Sequence, residues 1–159
     1  MENQGKITIG TVCFLIDRSN NTMLLLERAN EPMSKMLTGV GGKTHFEEDI
    51  NGSCIREIKE ETGFDAQNLK LHGVIKTILD GHNSTWILFI YSTADFRGNQ
   101  IDCPEGKLHW ISIDKIFDTN LIGFIREILP YVLNNTMIEG TIRHDSRGNI
   151  IEKNIAAIP

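Results

Sequence analysis

A glycine-dense turn that leads into an acidic helical segment constrains the fold of this sequence most. Residues 38–43 contain three glycines, and backbone of that composition bends sharply or approaches a ligand closely. The pattern from Ile50 to Thr62 predicts a helix, with Gly63 just past its C-terminus. A turn followed by such a helix can bring main-chain groups and acidic side chains to the same place.

The rest of the sequence predicts a mixed sheet covered by helices. Runs rich in β-branched and apolar residues indicate strands at 7–16, 23–27, 69–79, 85–94 and 108–113, and a terminal hairpin formed by 137–143 and 149–154. A second helix is expected at 121–133, with Pro130 inside it. Because strands outnumber helices but both are present, we expect an α/β fold.

Length and charge indicate one ordinary globular domain. The 159 residues are 40% hydrophobic and 23% charged, so we expect a single domain over residues 1–159. A formal net charge of −5 argues against a nucleic-acid polymer as partner. A small phosphorylated substrate is compatible with this charge, because a bound divalent cation can supply the positive field.

The cysteines and the N-terminus suggest a location. Cys13, Cys54 and Cys103 lack CxxC spacing, and we expect free thiols in place of a disulfide or a zinc site. The N-terminal MENQGK lacks the apolar region of a secretory signal, and the apolar runs are too short to span a bilayer. These features predict a cytoplasmic protein with no membrane partner.

Three carboxylates share one stripe of the predicted helix. Each helical residue advances by about 100 degrees, so Glu61 and Glu60 fall about 40 and 60 degrees to either side of Glu57. A solvated acidic face is one interpretation. The glycine turn and the further acid Glu48 favour another, a site for a hard cation with oxygen ligands such as Mg²⁺ or Mn²⁺.

The segment from Gly42 to Phe64 resembles the Nudix box, G-x5-E-x7-R-E-U-x-E-E-x-G-U, where U is a bulky aliphatic or aromatic residue. Every fixed position is matched, by Gly42, Glu48, Arg56, Glu57, Ile58, Glu60, Glu61, Gly63 and Phe64. The resemblance implies a Nudix-type α/β/α sandwich around a mixed sheet, with a loop–helix–loop that holds metal ions. Outside the box, GVGGK, EGKLHW and the terminal hairpin are similar to the MutT-like branch.

The resemblance also implies roles for residues in and near the box. Mg²⁺, with Mn²⁺ as a substitute, is assigned to a set of carboxylates and one main-chain carbonyl, namely Glu57, Glu60, Glu61 and Gly41 or Gly42. Arg56 is expected to orient a carboxylate by ion pairing, or else to pack on the helix surface. Relatives often carry a glutamate just before the strand at 108–113, so Glu105 is a further candidate for the metal site.

The reaction that the resemblance implies is attack of water on a phosphorus of a diphosphate linkage. A carboxylate must take the proton of that water. Glu61 is one candidate for this general base and Glu105 is another. For Glu105 an ordinary loop acid is the alternative interpretation.

The MutT-like resemblance favours a nucleoside triphosphate, with 8-oxo-dGTP as the named candidate, cleaved to the monophosphate and pyrophosphate. Arg28 and Lys43 are candidates for phosphate contacts, or else surface cations. Thr38 is expected to face the base pocket. Asn120 offers a donor and an acceptor to a purine edge, but it equally suits the cap of a helix that starts near Leu121.

Other functions stay open at this point. They are hydrolysis of a nucleotide sugar, ADP-ribose or a dinucleoside polyphosphate, and a non-catalytic ligand-sensing domain. Residues 77–82 lack the proline or tyrosine typical of two of these subclasses, and a sensor would be expected to lose box glutamates that this chain keeps. Phe117 or Phe124 suits either base stacking or the core. A homodimer is compatible with the resemblance, because dimers are common among relatives.

Overall fold

The computed structural model describes residues 5–159. Residues 1–4, which belong to the MENQGK segment and to the predicted domain, lie outside the described part. The strands are β1 (Lys6–Asp17), β2 (Thr22–Arg28), β3 (Leu37–Thr38), β4 (Asp65–Gln67), β5 (Lys70–Leu79), β6 (Ser84–Thr93), β7 (Asp95–Arg97), β8 (Gly106–Ser112), β9 (Ile138–His144) and β10 (Ile150–Ala157). The helices are α1 (Ile50–Thr62), a 3₁₀ helix (Ile113–Asp118) and α2 (Gly123–Leu133). The predicted helices and longer strands are confirmed, while the single domain over 1–159 stays a prediction.

The main sheet is mixed, as predicted. Its strand order is β10-β9-β5-β6-β1-β2-β3, and β8 pairs with the other edge of β2. The pairs β1–β6 and β5–β9 are parallel, and the remaining pairs are antiparallel. β4 and β7 form a separate two-stranded sheet. These two strands and β3 have two or three residues each, too few to produce a period-two pattern in the sequence.

One helix covers each face of the sheet. Alternate residues of a strand point to opposite faces, and along β1 Phe14 packs in the cluster of α2 whereas Cys13 packs in that of α1. The α2 cluster includes Ile125 and Ile128, and the α1 cluster includes Ile58. The predicted α/β/α sandwich is therefore the observed architecture.

Helix α1 begins and ends where its sequence predicts. The Oδ1 atom of Asp49 accepts a hydrogen bond from the Gly52 amide at 2.7 Å, which satisfies one of the free amides of the first turn. Gly63 ends the helix with φ of 83°, a left-handed conformation that glycine adopts at low cost. Each boundary depends only on residues within a few positions of it along the chain, so the sequence alone was sufficient to predict both.

Helix α2 begins at Gly123, two residues later than expected, and Asn120 is not its cap. The N-cap position is Ile122, with no side-chain capping bond. The cause is a non-local pairing: the Leu37 amide donates to the carbonyl of Asn120, and the Ile122 amide donates to the carbonyl of Leu37. This pairing with β3 holds residues 120–122 extended, so the cap interpretation of Asn120 is wrong.

The three cysteines are free, as expected. Cys13 and Cys54 are buried and Cys103 is partly buried. Burial raises the pKa of both Cys13 and Cys103. Within residues 5–159, every helix is too short or too polar to cross a bilayer.

A buried histidine on β5 predicts acid sensitivity of the fold. His72 is 1% exposed, and its Nε2 atom lies 2.6 Å from the Ser92 hydroxyl. Burial, with a smaller contribution from the charge of Lys70, lowers the pKa of His72 from 6.5 to about 4. The unfolded chain therefore binds the proton first as pH falls. This contribution to stability is fully present above about pH 6.5 and declines toward pH 4.

We expect His72→Gln, which keeps a partner for Ser92, to reduce this acid dependence. The wild-type free energy of unfolding should fall by about 1–2 kcal/mol from pH 7.5 to pH 5 through this group, and the variant should lose that part of the change. Urea unfolding at both pH values measures it. His82→Gln, in the exposed β5–β6 turn, is the matched control. Equal pH dependence in wild type and His72→Gln contradicts the prediction.

Candidate active site

A cavity of about 530 Å³ lies between the glycine turn, the middle of β1 and the strands β5, β6 and β9. Acidic side chains line one part of it, namely Glu57, Glu61 and Glu105, which we call the acidic cluster. Apolar and aromatic side chains line another part, namely Leu79, Trp86, Leu88, Ile122 and Phe124. Arg28 and Lys43 also line the cavity. One continuous space thus joins charged groups to an apolar, aromatic surface.

The glycine turn lies flat against β1, and glycine is required for that contact. The Thr11 amide donates to the carbonyl of Gly42 at 2.9 Å, and the Cys13 amide donates to the carbonyl of Val40. Gly41 has φ of 151°, and a Cβ atom on it would overlap the carbonyl of Thr11. A side chain on Gly41 would therefore push the turn away from β1. Without one, the turn can present its main-chain groups to the cavity.

Glu61 is the most deeply buried acid of the cluster, with 3% exposure. Its Oε2 atom accepts a hydrogen bond from the Gly41 amide at 2.9 Å. Its Oε1 atom is buried and has no hydrogen-bond partner among the described residues. Burial, together with the charges of Glu105 and Glu57, raises the pKa of Glu61 to about 8, although the Gly41 bond opposes the shift. The Oε1 atom is therefore positioned to bind a cation or a proton.

Glu57 packs directly under the glycine turn. A Cβ atom on Gly42 would stand 2.6 Å from the carboxyl carbon of Glu57. Burial raises the pKa of Glu57, Arg56 opposes that shift, and the charges of Glu60 and Glu105 reinforce it. The bare α-carbon of Gly42 thus makes room for the Glu57 carboxylate.

Arg56 holds several oxygen atoms around the helix start. Its guanidinium donates to Glu48 at 2.6 and 2.9 Å, to Glu57 at 2.8 Å and to the carbonyl of Lys43 at 3.0 Å. The hydrogen bonds between Glu48 and Arg56 lower the pKa of Glu48 to about 2 and raise the pKa of Arg56. These contacts place Arg56 against the carboxylates of Glu48 and Glu57, and its role in orienting one of them stays a prediction.

Glu60 is placed differently from the other two box carboxylates. Its side chain is 58% exposed, lies 3.2 Å from Arg56, and does not line the cavity. The three glutamates do share one side of α1, but they lie at different depths. The glycine turn covers Glu61 through Gly41 and Glu57 through Gly42, whereas Glu60 lies outside this contact and is exposed.

The donor atoms fit a hard divalent cation of the kind that this site implies. No group of three or more His, Cys, Asp or Glu side chains in residues 5–159 is already arranged to hold a metal ion. Mg²⁺ does not need such a cage, because it is usually bound by one or two carboxylates plus waters and substrate phosphates. The unpartnered Oε1 atom of Glu61 and the nearby Glu57 meet that requirement. The carbonyl of Gly42 already accepts the Thr11 amide, which leaves that of Gly41 as the better donor.

The predicted substrate-binding residues divide into two groups. Arg28, Lys43 and Thr38 line the cavity, and the Arg28 Nε atom donates to the carbonyl of Pro32 at 3.1 Å. Asn120 is exposed outside the cavity lining, where its amide donates to the carbonyl of Lys35 at 3.4 Å. Of the two candidate stacking residues, Phe124 lines the cavity and Phe117 does not.

Several lining residues were not predicted, among them Thr11, Thr77, Ser84, Trp86 and His144. Three of them lie on separate strands, Thr77 on β5, Trp86 on β6 and His144 on β9. Each lies two residues from an apolar residue that packs in the α2 cluster, namely Ile75, Leu88 and Ile142, so the period-two pattern contained a signal for their common face. Their convergence required the strand order, which the pattern does not contain.

Comparison with known proteins identifies the family. The family model of the NUDIX domain matches residues 6–132. The uncharacterized Nudix hydrolase YvcI of Bacillus subtilis (strain 168) is 29% identical over 139 residues, which cover 84% of this chain and 85% of that protein. The oxidized purine nucleoside triphosphate hydrolase of Danio rerio is 31% identical over 78 residues, 49% of this chain and 50% of that protein.

A solved structure agrees with this assignment. The crystal structure of the MutT protein from Bacillus halodurans aligns with a TM-score of 0.82 and 26% identity, and the alignment covers 93% of this chain and 97% of that chain. Members of this family generally use divalent metal ions and act on small-molecule nucleotides. The chain therefore belongs to the NUDIX family, as a MutT-like Nudix hydrolase that acts on phosphoric anhydride bonds.

Proposed function

We propose that this Nudix hydrolase cleaves a nucleoside triphosphate to the monophosphate and pyrophosphate, with 8-oxo-dGTP as its candidate substrate. The observation that carries the proposal is the single cavity that joins the acidic cluster, Arg28 and Lys43 to an apolar surface formed by Trp86 and Phe124. A triphosphate needs cations around its oxygens, and a base needs a flat apolar surface. Similarity to the Danio rerio enzyme over half of the chain supports an oxidised purine.

The residues of the site have distinct tasks in this proposal. Glu57 and Glu61, with the carbonyl of Gly41, would hold Mg²⁺, which neutralises phosphate oxygens and lowers the pKa of a bound water. Arg56 fixes the position of Glu57 through their 2.8 Å bond. Glu61 or Glu105 takes the proton from the attacking water. Arg28 and Lys43 contact the phosphate oxygens.

Parts of this assignment stay predictions. Glu60 is a predicted metal ligand, and it would have to exchange its contact with Arg56 for one with the ion. Asn120 would need to move from Lys35 to contact a base. A cytoplasmic location suits the three free thiols, since reducing compartments keep cysteines unpaired. The homodimer likewise stays a prediction.

A substrate panel tests the proposal. In Mg²⁺ buffer the enzyme should release pyrophosphate from 8-oxo-dGTP, with kcat/KM about 10-fold or more above that for dGTP. Removal of divalent ions by a chelator should abolish turnover, and added Mn²⁺ should restore it. ADP-ribose and a dinucleoside polyphosphate are the comparison substrates. Faster turnover of either one than of any triphosphate, or release of orthophosphate alone, contradicts the proposal.

A further inference from the structure

The ring of His144 has a fixed orientation at the apolar part of the cavity. His144 is 4% exposed and lines the cavity. Its ring stacks on Phe124, with centroids 6.3 Å apart and planes inclined by 13°. Its Nδ1 atom lies 3.3 Å from the carbonyl oxygen of Asp145. Contacts on a face and at one nitrogen together restrict the rotation of the ring.

The contact with Asp145 decides which nitrogen carries the proton. A carbonyl oxygen only accepts hydrogen bonds, so Nδ1 must be the donor in this contact. In the neutral imidazole, Nε2 is then an acceptor. The carboxylate of Asp145 does not compete for the ring, because it accepts bonds from the Arg147 amide and from the amide and side chain of Asn149. In its neutral form, His144 thus offers Nε2 as a hydrogen-bond acceptor.

The strand register places a flat slot beside this acceptor. Trp86 on β6 pairs with Thr77 on β5, and Leu79 of β5 pairs with His144 on β9. β6 and β9 are two strand spacings apart, which is roughly 10 Å. A Cβ atom on Gly10 would stand 2.8 Å from the Trp86 ring, so this ring leans over β1, away from β9. The surface over Thr77 and Leu79 therefore stays open between Trp86 and His144.

Hydroxyl groups supply the other polar contacts of this slot. Thr77 and Ser84 line the cavity here, and each hydroxyl can either donate or accept. Among the described residues that line the cavity, His144 is the one side chain outside the acidic cluster whose own contacts leave it an atom that can only accept a hydrogen bond. A base that meets Nε2 with a lone pair would be repelled, whereas one that meets it with an N–H would be bound.

We propose that the Nε2 atom of His144 accepts a hydrogen bond from an N–H that only some purine bases carry, and so determines substrate specificity. This inference rests on the proposed function. The N–H can come from N7 of an 8-oxopurine, where an unmodified purine carries a lone pair, or from the exocyclic amine of guanine. A site built to bond a donor discriminates strongly against an analogue that lacks it, because the buried acceptor is then left unpaired.

The test compares His144→Phe with His144→Gln. Phenylalanine keeps a ring against Phe124 and removes Nε2, whereas glutamine keeps an acceptor oxygen. KM and kcat are measured at pH 8 for 8-oxo-dGTP, dGTP and dITP, the last of which lacks the exocyclic amine. His144→Phe should raise KM about 10-fold or more for the substrate that supplies the N–H, with kcat nearly unchanged, and His144→Gln should recover part of the loss.

The three substrates distinguish the source of the N–H. A loss confined to 8-oxo-dGTP indicates N7–H, and a loss for dGTP but not for dITP indicates the amine. Equal effects of His144→Phe on all three substrates overturn the inference.

Product binding separates this inference from the proposed function. Calorimetry with 8-oxo-dGMP, dGMP and dIMP should show the same selectivity in the wild type, and His144→Phe should remove it. If no triphosphate yields pyrophosphate but this binding selectivity holds, the proposed function fails while the role of His144 stands. If triphosphates are cleaved but His144→Phe leaves both selectivities unchanged, the role of His144 fails alone.

Discussion

Replacing Glu61 with glutamine should lower kcat/KM by at least about 10²-fold, on the scale of lost general-base or metal-ligand function. The amide oxygen of glutamine can still accept the Gly41 amide, so the turn should keep its position over α1. The variant loses the charge at the buried Oε1 atom, which has no partner among the described residues. Steady-state hydrolysis of 8-oxo-dGTP in Mg²⁺ buffer measures the effect.

Stability separates a catalytic role of Glu61 from a structural one. The pKa of Glu61 in the folded chain is raised from 4.5 to about 8. The unfolded chain releases this proton at lower pH, so in metal-free buffer the group destabilises the fold as pH rises from about 4.5 to about 8. The Tm of Glu61→Gln at pH 8 should therefore equal or exceed that of the wild type.

The control for Glu61→Gln is Glu139→Gln, a change at an exposed acid on β9 outside the cavity. It should leave both activity and Tm close to the wild-type values. Near-full activity of Glu61→Gln would remove Glu61 from the catalytic assignment. A large fall in its Tm at pH 8 would point to a structural role.

Adding one methyl group at Gly42 should impair catalysis without unfolding the protein. The new Cβ atom would stand 2.6 Å from the carboxyl carbon of Glu57. The end of that side chain can move aside, so the fold survives, but the carboxylate leaves its place under the turn. A displacement of about 1 Å in a catalytic group can cost about 10²-fold, so we expect Gly42→Ala to lower kcat by about 10- to 100-fold.

The neighbouring glycine supplies the contrast. At Gly41 the Cβ atom would meet the Thr11 carbonyl, which is backbone and cannot move aside, and φ is 151°. Gly41→Ala should therefore lower stability by about 1–3 kcal/mol, whereas Gly42→Ala should leave Tm nearly unchanged. Thermal unfolding and kcat of both variants, measured side by side, make the comparison. An active Gly42→Ala enzyme would show that the position of Glu57 is not needed for turnover.

The sequence by itself determined the features that depend on neighbours along the chain. The Asp49 cap, the end of α1 at Gly63 and the side of α1 that carries Glu57 and Glu61 all follow from residues within a few positions of one another. The Nudix box is such a local pattern, since all its fixed positions lie between Gly42 and Phe64, in the glycine turn, the helix and the residues that flank it. The metal chemistry and the family could therefore be predicted before the strands were paired.

Non-local pairing decided what the sequence did not determine. The turn of Gly41 and Gly42 lies across α1 because it pairs with β1, and this is why Glu61 is buried while Glu60 is exposed. Helix α2 starts at Gly123 and not at the predicted position, because pairing with β3 holds the preceding residues in an extended conformation. Helical periodicity gives the direction of a side chain, but its depth depends on which segment covers it.

The glycine turn and the acidic helix were thus foreseeable as a pair, and the rest of the cavity was not. Trp86, Thr77 and His144 come from three strands, and only the order β9-β5-β6 brings them to one slot. Alternation along each strand determined their common face. Register and strand order depend on contacts between residues far apart in the chain, so the tertiary structure alone decided which other side chains line the cavity with the acidic cluster.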